Sequence, residues 1–347
     1  MGGSTDAIEA TTGAPLLSIE GLEVRFPVRG GGLFRKVKGW VRAVDGVDLE
    51  VRRAEAVGLV GESGCGKTTL ARAALKLERP SAGRVRLHGR DLAGLSRAEA
   101  RDYRRRVQAV FQDPMSSLSP RMTVARIVEE PLVVHHPEMP SAERAARVSR
   151  LLDLCGLPRR FAELYPHEMS GGQRQRVGIA RALALEPELI VCDEAVSALD
   201  VSIQAQIVNL LARLRAELGL AYLFIGHDLS VVRQLCDRVA VMYLGRVVET
   251  ADAETLFADP RHPYTQALID AVPIPDPWAE AQRPHRDLGG EPPSPMDPPP
   301  GCRFNPRCPI AMPMCRERAP ALLRVGAGGH RAACFAAETE TAEAEPA

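Results

Sequence analysis

The sequence predicts an α/β fold, a parallel sheet covered by helices on both faces, and three observations predict it. Short unbroken apolar runs recur, namely Ala56-Val57-Gly58-Leu59-Val60, Leu189-Ile190-Val191-Cys192 and Tyr222-Leu223-Phe224-Ile225. Such runs fit strands buried on both faces. Stretches rich in Ala, Leu and Arg lie between them and read as covering helices. A glycine-rich segment, Gly61-Glu62-Ser63-Gly64-Cys65-Gly66-Lys67-Thr68-Thr69, follows the first run and leads into a predicted helix over residues 70–77.

Composition bounds the reading. A chain of 347 residues holds one large or two ordinary domains. Hydrophobic residues at 45% and charged ones at 25% argue against wholesale disorder. Lys+Arg and Asp+Glu are both 44, and this zero formal charge argues against a protein that coats nucleic acid. No stretch approaches the roughly 20 apolar residues of a membrane-spanning helix. The first fifteen residues, MGGSTDAIEATTGAP, lack the basic and apolar regions of a signal peptide. The expectation is a chain that stays in the cytosol and meets a membrane only through a partner.

Along the chain, residues 1–15 and 336–347 are small, polar or acidic and read as flexible tails. Residues 16–272 carry the α/β texture. Between 113 and 169 the strands stop, and a helical insertion is expected. Ser141 reads as the cap of a helix whose apolar stripe includes Ala145, Val148, Leu151, Leu152 and Cys155. Residues 238–249 read as a hairpin turning near Gly245. From 273 prolines become dense, and residues 273–335 are expected to form a separate C-terminal extension. Cys65, Cys155, Cys192 and Cys236 are scattered and read as small apolar or loop residues.

The chemistry begins at Gly61. The segment fits G-x-x-x-x-G-K-[ST] in the context that motif requires, between a strand and a helix. Gly61, Gly64 and Gly66, with Ser63 and Cys65, let backbone N–H groups turn inward around phosphate oxygens. The helix start adds its positive dipole end. Lys67 supplies a cation for the β- and γ-phosphates, and the Thr68 hydroxyl, followed by Thr69, is placed to ligate Mg²⁺. At the end of a second strand, Asp193 is read as holding Mg²⁺ through its water shell, and Glu194 as polarising the attacking water. One strand later His227 is placed to reach the γ-phosphate. A further segment, Ser170-Gly171-Gly172-Gln173, precedes a predicted helix over 177–185 and resembles another phosphate-binding turn. One P-loop needs no second grip on its own nucleotide, so this turn is expected to grip the ATP of a different subunit, in a head-to-tail sandwich.

In the order of these motifs, together with Phe111-Gln112-Asp113 and Ser197-Ala198-Leu199-Asp200, residues 16–272 resemble the ATP-binding-cassette (ABC) family. The resemblance implies ATP hydrolysis at a dimer interface, with Gln112 sensing Mg²⁺ and a transmembrane partner and Asp200 at the dimer seam. It also implies an aromatic stacked on adenine, for which Phe26 is the choice and Trp40 the runner-up. Ala195 and Gly226 stand where the family often has Pro and Ser, and neither change removes a catalytic group. Phe111-Gln-Asp-Pro-Met-Ser-Ser-Leu118, His262-Pro-Tyr-Thr265, Gly301-Cys-Arg-Phe-Asn-Pro-Arg-Cys-Pro309 and a long insertion at 28–41 are similar to the peptide-permease branch. That branch implies an importer with a second, paralogous ABC ATPase, two transmembrane permease subunits and an extracytoplasmic solute-binding protein. This chain would sit peripherally on the cytoplasmic face of the membrane, and residues 262–265 are assigned to packing. The competing readings are an exporter ATPase and a soluble ABC ATPase acting on nucleic acid or ribosomes.

Cys302, Cys308, Cys315 and Cys334 are spaced C-x5-C-x6-C-x18-C in a proline-rich segment. Four thiols gathered in a cytosolic chain point away from disulfides. Two readings stand: thiols that pack the extension, or a metal centre held by all four, with a [4Fe–4S] cluster preferred to Zn²⁺. A staple of that kind would supply the fold of a small extension with few apolar residues.

Overall fold

The computed structural model describes residues 13–29, 37–113, 117–272, 278, 289–326 and 329–338. Most of both expected tails, part of the 28–41 insertion, Pro114-Met115-Ser116 and nearly all of the proline-dense 273–288 lie outside the described residues.

In chain order the strands are β1 (Leu17–Arg29), β2 (Val37–Val51), β3 (Ala56–Val60), β4 (Ala82–Leu87), β5 (Arg90–Asp91) and β6 (Val107–Val110). They continue as β7 (Leu189–Asp193), β8 (Ala221–Ile225), β9 (Arg238–Tyr243), β10 (Arg246–Asp252), β11 (Leu323–Arg324) and β12 (Arg331–Ala332). Among the described residues they form two sheets. The larger has the order β11-β12-β10-β9-β3-β8-β7-β6, and its β9, β3, β8, β7 and β6 are mutually parallel. β10 to β12 add an antiparallel edge, as the hairpin around Gly245 predicts. The smaller sheet, β2-β1-β4-β5, is wholly antiparallel. The sequence reading missed it. β1 and β2 are long but repeatedly shifted in register, so no clean alternation advertises them.

Strand side chains alternate between faces, and the apolar runs therefore feed two cores. Ala56, Val60, Ile190, Cys192, Tyr222, Phe224, Val239 and Val241 enter one. Val57, Leu59, Leu189, Val191, Leu223, Ile225, Ala240 and Met242 enter the other. The first core is shared with α3 (Val124–His135) and α4 (Ser141–Leu154), which lie within residues 113–169, and with α5 (Gly171–Leu183) beyond them. The second holds α1 (Lys67–Ala74) and α2 (Arg97–Arg106) between the two sheets. Cys65, Cys155, Cys192 and Cys236 are all buried, as read.

Three local expectations are corrected. The P-loop helix runs over Lys67–Ala74, not residues 70–77, and stops before Lys76, whose φ is 56°. Pro140, not Ser141, is the cap residue of α4; Ser141 is its first helical residue and caps no backbone N–H. The helix after Ser170 begins at Gly171, so the glycines read as a turn are its first turn.

The C-terminal extension is less separate than its composition suggests. β12 pairs with β10 (Glu249↔Ala332, Thr250↔Arg331), adding extension residues to the main sheet. Phe304 is 1% exposed and packs against Tyr243 and Tyr264, with ring centroids 5.3 and 5.5 Å away. Burying one such ring contributes roughly 1.5–3 kcal/mol. The extension thus has apolar anchorage of its own, independent of any staple.

Candidate active site

The parallel strands end level with one another. Leu59 of β3 stands beside Ile225 of β8, and Ile225 beside Asp193 of β7. The segments leaving these ends are the P-loop, Gly226-His227 and Glu194, with Gln112 just beyond β6 and exposed. In open α/β sheets ligands bind at the carboxyl ends of the strands.

The glycines of the P-loop are there for space as much as for conformation. Gly61 and Gly66 have φ of 151° and 111°. A Cβ on Gly61 would lie 2.1 Å from the Met242 carbonyl oxygen, and one on Gly66 2.0 Å from that of Ala43. The loop is therefore pressed against β9 and β2. Lys67 is 4% exposed, and its ammonium donates to the carbonyls of Gly61 (2.7 Å) and Glu62 (2.9 Å). Gly64 is unobstructed, and Ser63, Gly64 and Thr68 face solvent.

The Thr68 hydroxyl donates to Asp193 Oδ1 at 3.2 Å, bringing together two groups far apart in sequence. Burial pushes the Asp193 carboxyl above its usual range and Glu194 adds to this, while Thr68 and the Lys67 charge oppose it. A cation placed beside this acid would favour its ionised form. Glu194 has φ 49° and donates its N–H to the Ile225 carbonyl at 2.9 Å. Its Oε2 lies 3.8 Å from His227 Nδ1. Lys67, Thr68, Asp193, Glu194 and His227 thus gather along one edge of the sheet.

Ser170, Gly171, Gly172 and Gln173 lie elsewhere. Ser170 caps α5 and forms a capping box with Gln173: Ser170 N–H donates to Gln173 Oε1 at 2.9 Å, and Gln173 N–H to Ser170 Oγ at 3.3 Å. Each side chain accepts from the other residue's backbone N–H rather than reaching the P-loop. α5 packs on the start of α6 (Val201–Leu218), where a Cβ on Gly172 would meet Ile203 Cγ2 at 2.3 Å. Asp200 caps α6, and the Ile203 N–H it accepts, with Ser202, holds its carboxyl below the usual range.

Phe26 and Trp40 both lie on the β1–β2 ribbon, 37% and 50% exposed, at adjacent pairs (Phe26↔Val41, Pro27↔Trp40). β2 then passes the P-loop at Ala43.

The sequence reading missed a second set of residues around Glu62. The Tyr264 hydroxyl accepts from the Glu62 N–H at 2.8 Å, so the 262–265 segment touches the P-loop as well as packing. Arg307 forks onto the Glu62 carboxylate at 2.8 and 2.9 Å. Arg303 pairs with Asp45, and burial works against that carboxyl's ionisation while Arg303 and Arg246 hold it below its usual range. Only the arginines beside Cys302 and Cys308 hinted at this in sequence.

Cys302, Cys308, Cys315 and Cys334 line one small apolar cavity of about 20 Å³. None is in a disulfide. Burial pushes the Cys302 thiol up to about 11, with the other three thiols adding to it, and raises Cys308 and Cys334 also. Among the described residues no three His, Cys, Asp or Glu side chains stand grouped to hold a single metal ion.

With this geometry established, likeness to known proteins is decisive. Residues 44–197 match the ABC transporter family, and residues 248–315 match the oligopeptide/dipeptide transporter C-terminal region. The putative oligopeptide transport ATP-binding protein YkfD of Bacillus subtilis is 49% identical over 329 residues, covering 95% of this chain and 98% of its own length. The chain belongs to the ABC transporter ATP-binding family, in its oligopeptide/dipeptide branch. The oligopeptide transport ATP-binding protein OppF of Salmonella typhimurium is likewise 49% identical over 321 residues, 92% of this chain and 96% of its own. The dimeric post-hydrolysis ABC cassette MJ0796, bound to ADP and Pi, is similar in fold. Its TM-score is 0.60 at 29% identity, over 68% of this chain and 98% of that one. This chain is therefore an ABC ATPase with a P-loop fold, and ATP with Mg²⁺ suits its site. No described helix is long and apolar enough to cross a membrane.

Proposed function

We propose that this ABC ATPase energises uptake of di- or oligopeptides, or of a related small solute such as a nickel chelate, through a transmembrane permease. One observation carries the reading. A single chain joins the Lys67–Thr68–Asp193–Glu194 site to a C-terminal region of the oligopeptide type. Relatives spanning over nine-tenths of it are named for oligopeptide transport.

In this reading ATP sits on the P-loop amides with its adenine against Phe26. Thr68, Asp193 and Gln112 would hold Mg²⁺, which would neutralise phosphate charge. Lys67 turns from the Gly61 and Glu62 carbonyls to the β- and γ-phosphates. Glu194 accepts the proton of the attacking water, and His227 hydrogen-bonds the γ-phosphate. Ser170–Gln173 serve the nucleotide of a second, paralogous ATPase, with Asp200 at the seam. The head-to-tail pair works beneath two permease subunits supplied by an extracytoplasmic binding protein, so this subunit lies on the cytoplasmic face of the membrane.

The four thiols are proposed to carry a [4Fe–4S] cluster rather than Zn²⁺. Their convergence on one small cavity is the observation that supports a metal centre. The choice of a cluster over a mononuclear site rests on the all-cysteine donor set, which suits iron–sulfur centres and Zn²⁺ alike. Residues 273–335 form the extension that houses it.

Reconstituting the subunit with its genomic neighbours in proteoliposomes tests the transport reading. ATP-dependent accumulation of a labelled tripeptide is expected, and it is lost with Lys67→Ala. ATP turnover without any peptide accumulation, while another solute is taken up, would reject the substrate class.

A further inference from the structure

Glu62 lies inside the phosphate-binding loop, and its side chain is bound to Arg307. Its carboxylate accepts two hydrogen bonds from Arg307, at 2.8 and 2.9 Å, across 245 residues of sequence. The Arg307 side chain is 6% exposed and that of Glu62 24%. The guanidinium also lies over the Tyr243 ring, 5.8 Å from its centroid. Hydrogen bonding to Glu62 pushes the Arg307 pKa up despite burial. From the other side the Glu62 N–H donates to the Tyr264 hydroxyl, and Tyr264 packs against Tyr243 with centroids 4.7 Å apart. The Glu62 carbonyl, in turn, accepts from Lys67 Nζ.

Backbone, side chain and carbonyl of one P-loop residue are thus all engaged, two of the three by residues from the C-terminal region. Forked, shielded pairs of this kind fix geometry more firmly than exposed ones, whose contribution is small. A loop that binds phosphate through its own amides depends on holding its backbone in one shape before the ligand arrives. We infer that Arg307 is a positioning residue for ATP binding: acting through Glu62, it holds the P-loop in the conformation that receives phosphate. The C-terminal extension is in this way part of the nucleotide site, acting through Glu62. The inference rests on the reading of residues 61–69 as the ATP site. If the unaltered chain bound no ATP, that reading would fail and the pair would have nothing to position.

The test is a double-mutant cycle in the full-length subunit, with binding of labelled ATP and steady-state turnover in the assembled complex. Arg307→Gln is expected to weaken ATP binding roughly five- to tenfold, as loss of a charge-assisted bond would. Turnover at saturating ATP should stay within about twofold. Arg307→Lys, which keeps the charge but not the fork, should restore part of the affinity. Glu62→Gln should weaken binding by a similar factor, and the double variant should bind no worse than either single one. Glu62→Gln leaves the extension untouched, so it carries the test alone if Arg307→Gln proves protease-sensitive. ATP affinity within twofold of the unaltered chain in Glu62→Gln, or single effects that multiply in the double variant, would overturn the inference.

Discussion

Thr68 Oγ1 and Asp193 Oδ1 are joined by a 3.2 Å hydrogen bond that spans 125 residues of sequence and links the P-loop to the end of β7. Both groups are assigned to one Mg²⁺, and the bond holds them side by side. Replacing Thr68 by Val keeps the shape and removes the hydroxyl. The Mg²⁺ concentration giving half-maximal ATPase activity is expected to rise about tenfold, a loss near 1.4 kcal/mol. A Mg²⁺ titration checks this, and an unchanged midpoint contradicts the pairing of roles.

Gly172 offers a test of packing. Alanine in a helix is normally favoured over glycine by about 1 kcal/mol. Here its Cβ would meet Ile203 Cγ2 at 2.3 Å, and overpacking of that kind costs about 1–3 kcal/mol. The clash should win, so Gly172→Ala is expected to lower stability in urea denaturation. In an Ile203→Ala background the same substitution should become neutral or stabilising. Destabilisation of equal size in both backgrounds would contradict the account.

How much of this was legible in sequence depends on separation and on pattern. Residues 56–60, 189–192 and 222–225 declared themselves because strands buried on both faces are apolar throughout. Lys67, Asp193, Glu194 and His227 were singled out because each lies at the end of such a strand or in the segment leaving it. β1 and β2 were not legible, because their register shifts break the alternation that marks a half-buried strand. Ser141 misled because serine is a common cap, whereas Pro140 already occupies the cap position. Glu62 and Arg307 could not be paired by spacing, since only the fold of the C-terminal region onto Tyr243 and Tyr264 brings them together.

The metal reading predicts bound iron. Anaerobically prepared protein is expected to be brown, with about four irons per chain for a cubane cluster and little zinc. Cys308→Ser should release the iron and loosen residues 289–338 to proteolysis, while the ATPase core around Lys67 and Glu194, with its own buried side chains, stays folded. Metal analysis finding about one zinc per chain would replace the cluster by a zinc site. Finding neither metal, with four thiols freely alkylated in the folded protein, would leave them as packing groups.

His262 sets an acid limit on stability. Burial lowers its pKa from 6.5 to about 4, against the opposing pull of Glu249, whose carboxylate also accepts the His262 backbone N–H at 2.9 Å. Between those two values the unfolded chain binds the extra proton and the folded chain does not. This contribution is therefore complete above pH 6.5 and is lost as pH falls toward 4. The slope from this one group is at most about 1.4 kcal/mol per pH unit. His262→Asn keeps an acceptor for the Tyr264 N–H, now met by Nδ1 at 3.1 Å, but removes the titration. Urea denaturation across that window should show a shallower acid slope in the variant, and identical slopes would contradict the assignment.

The central claim is that Glu194, at the end of β7 and 3.8 Å from His227, activates the water that cleaves ATP bound on the P-loop. Its most direct test is single-turnover ATP hydrolysis by the assembled complex carrying Glu194→Gln, with ATP binding measured on the same preparation. The account predicts that binding survives while hydrolysis at this site falls by roughly 10²–10⁴-fold. Hydrolysis at near the unaltered rate, with ATP shown to be held at Lys67, would contradict it.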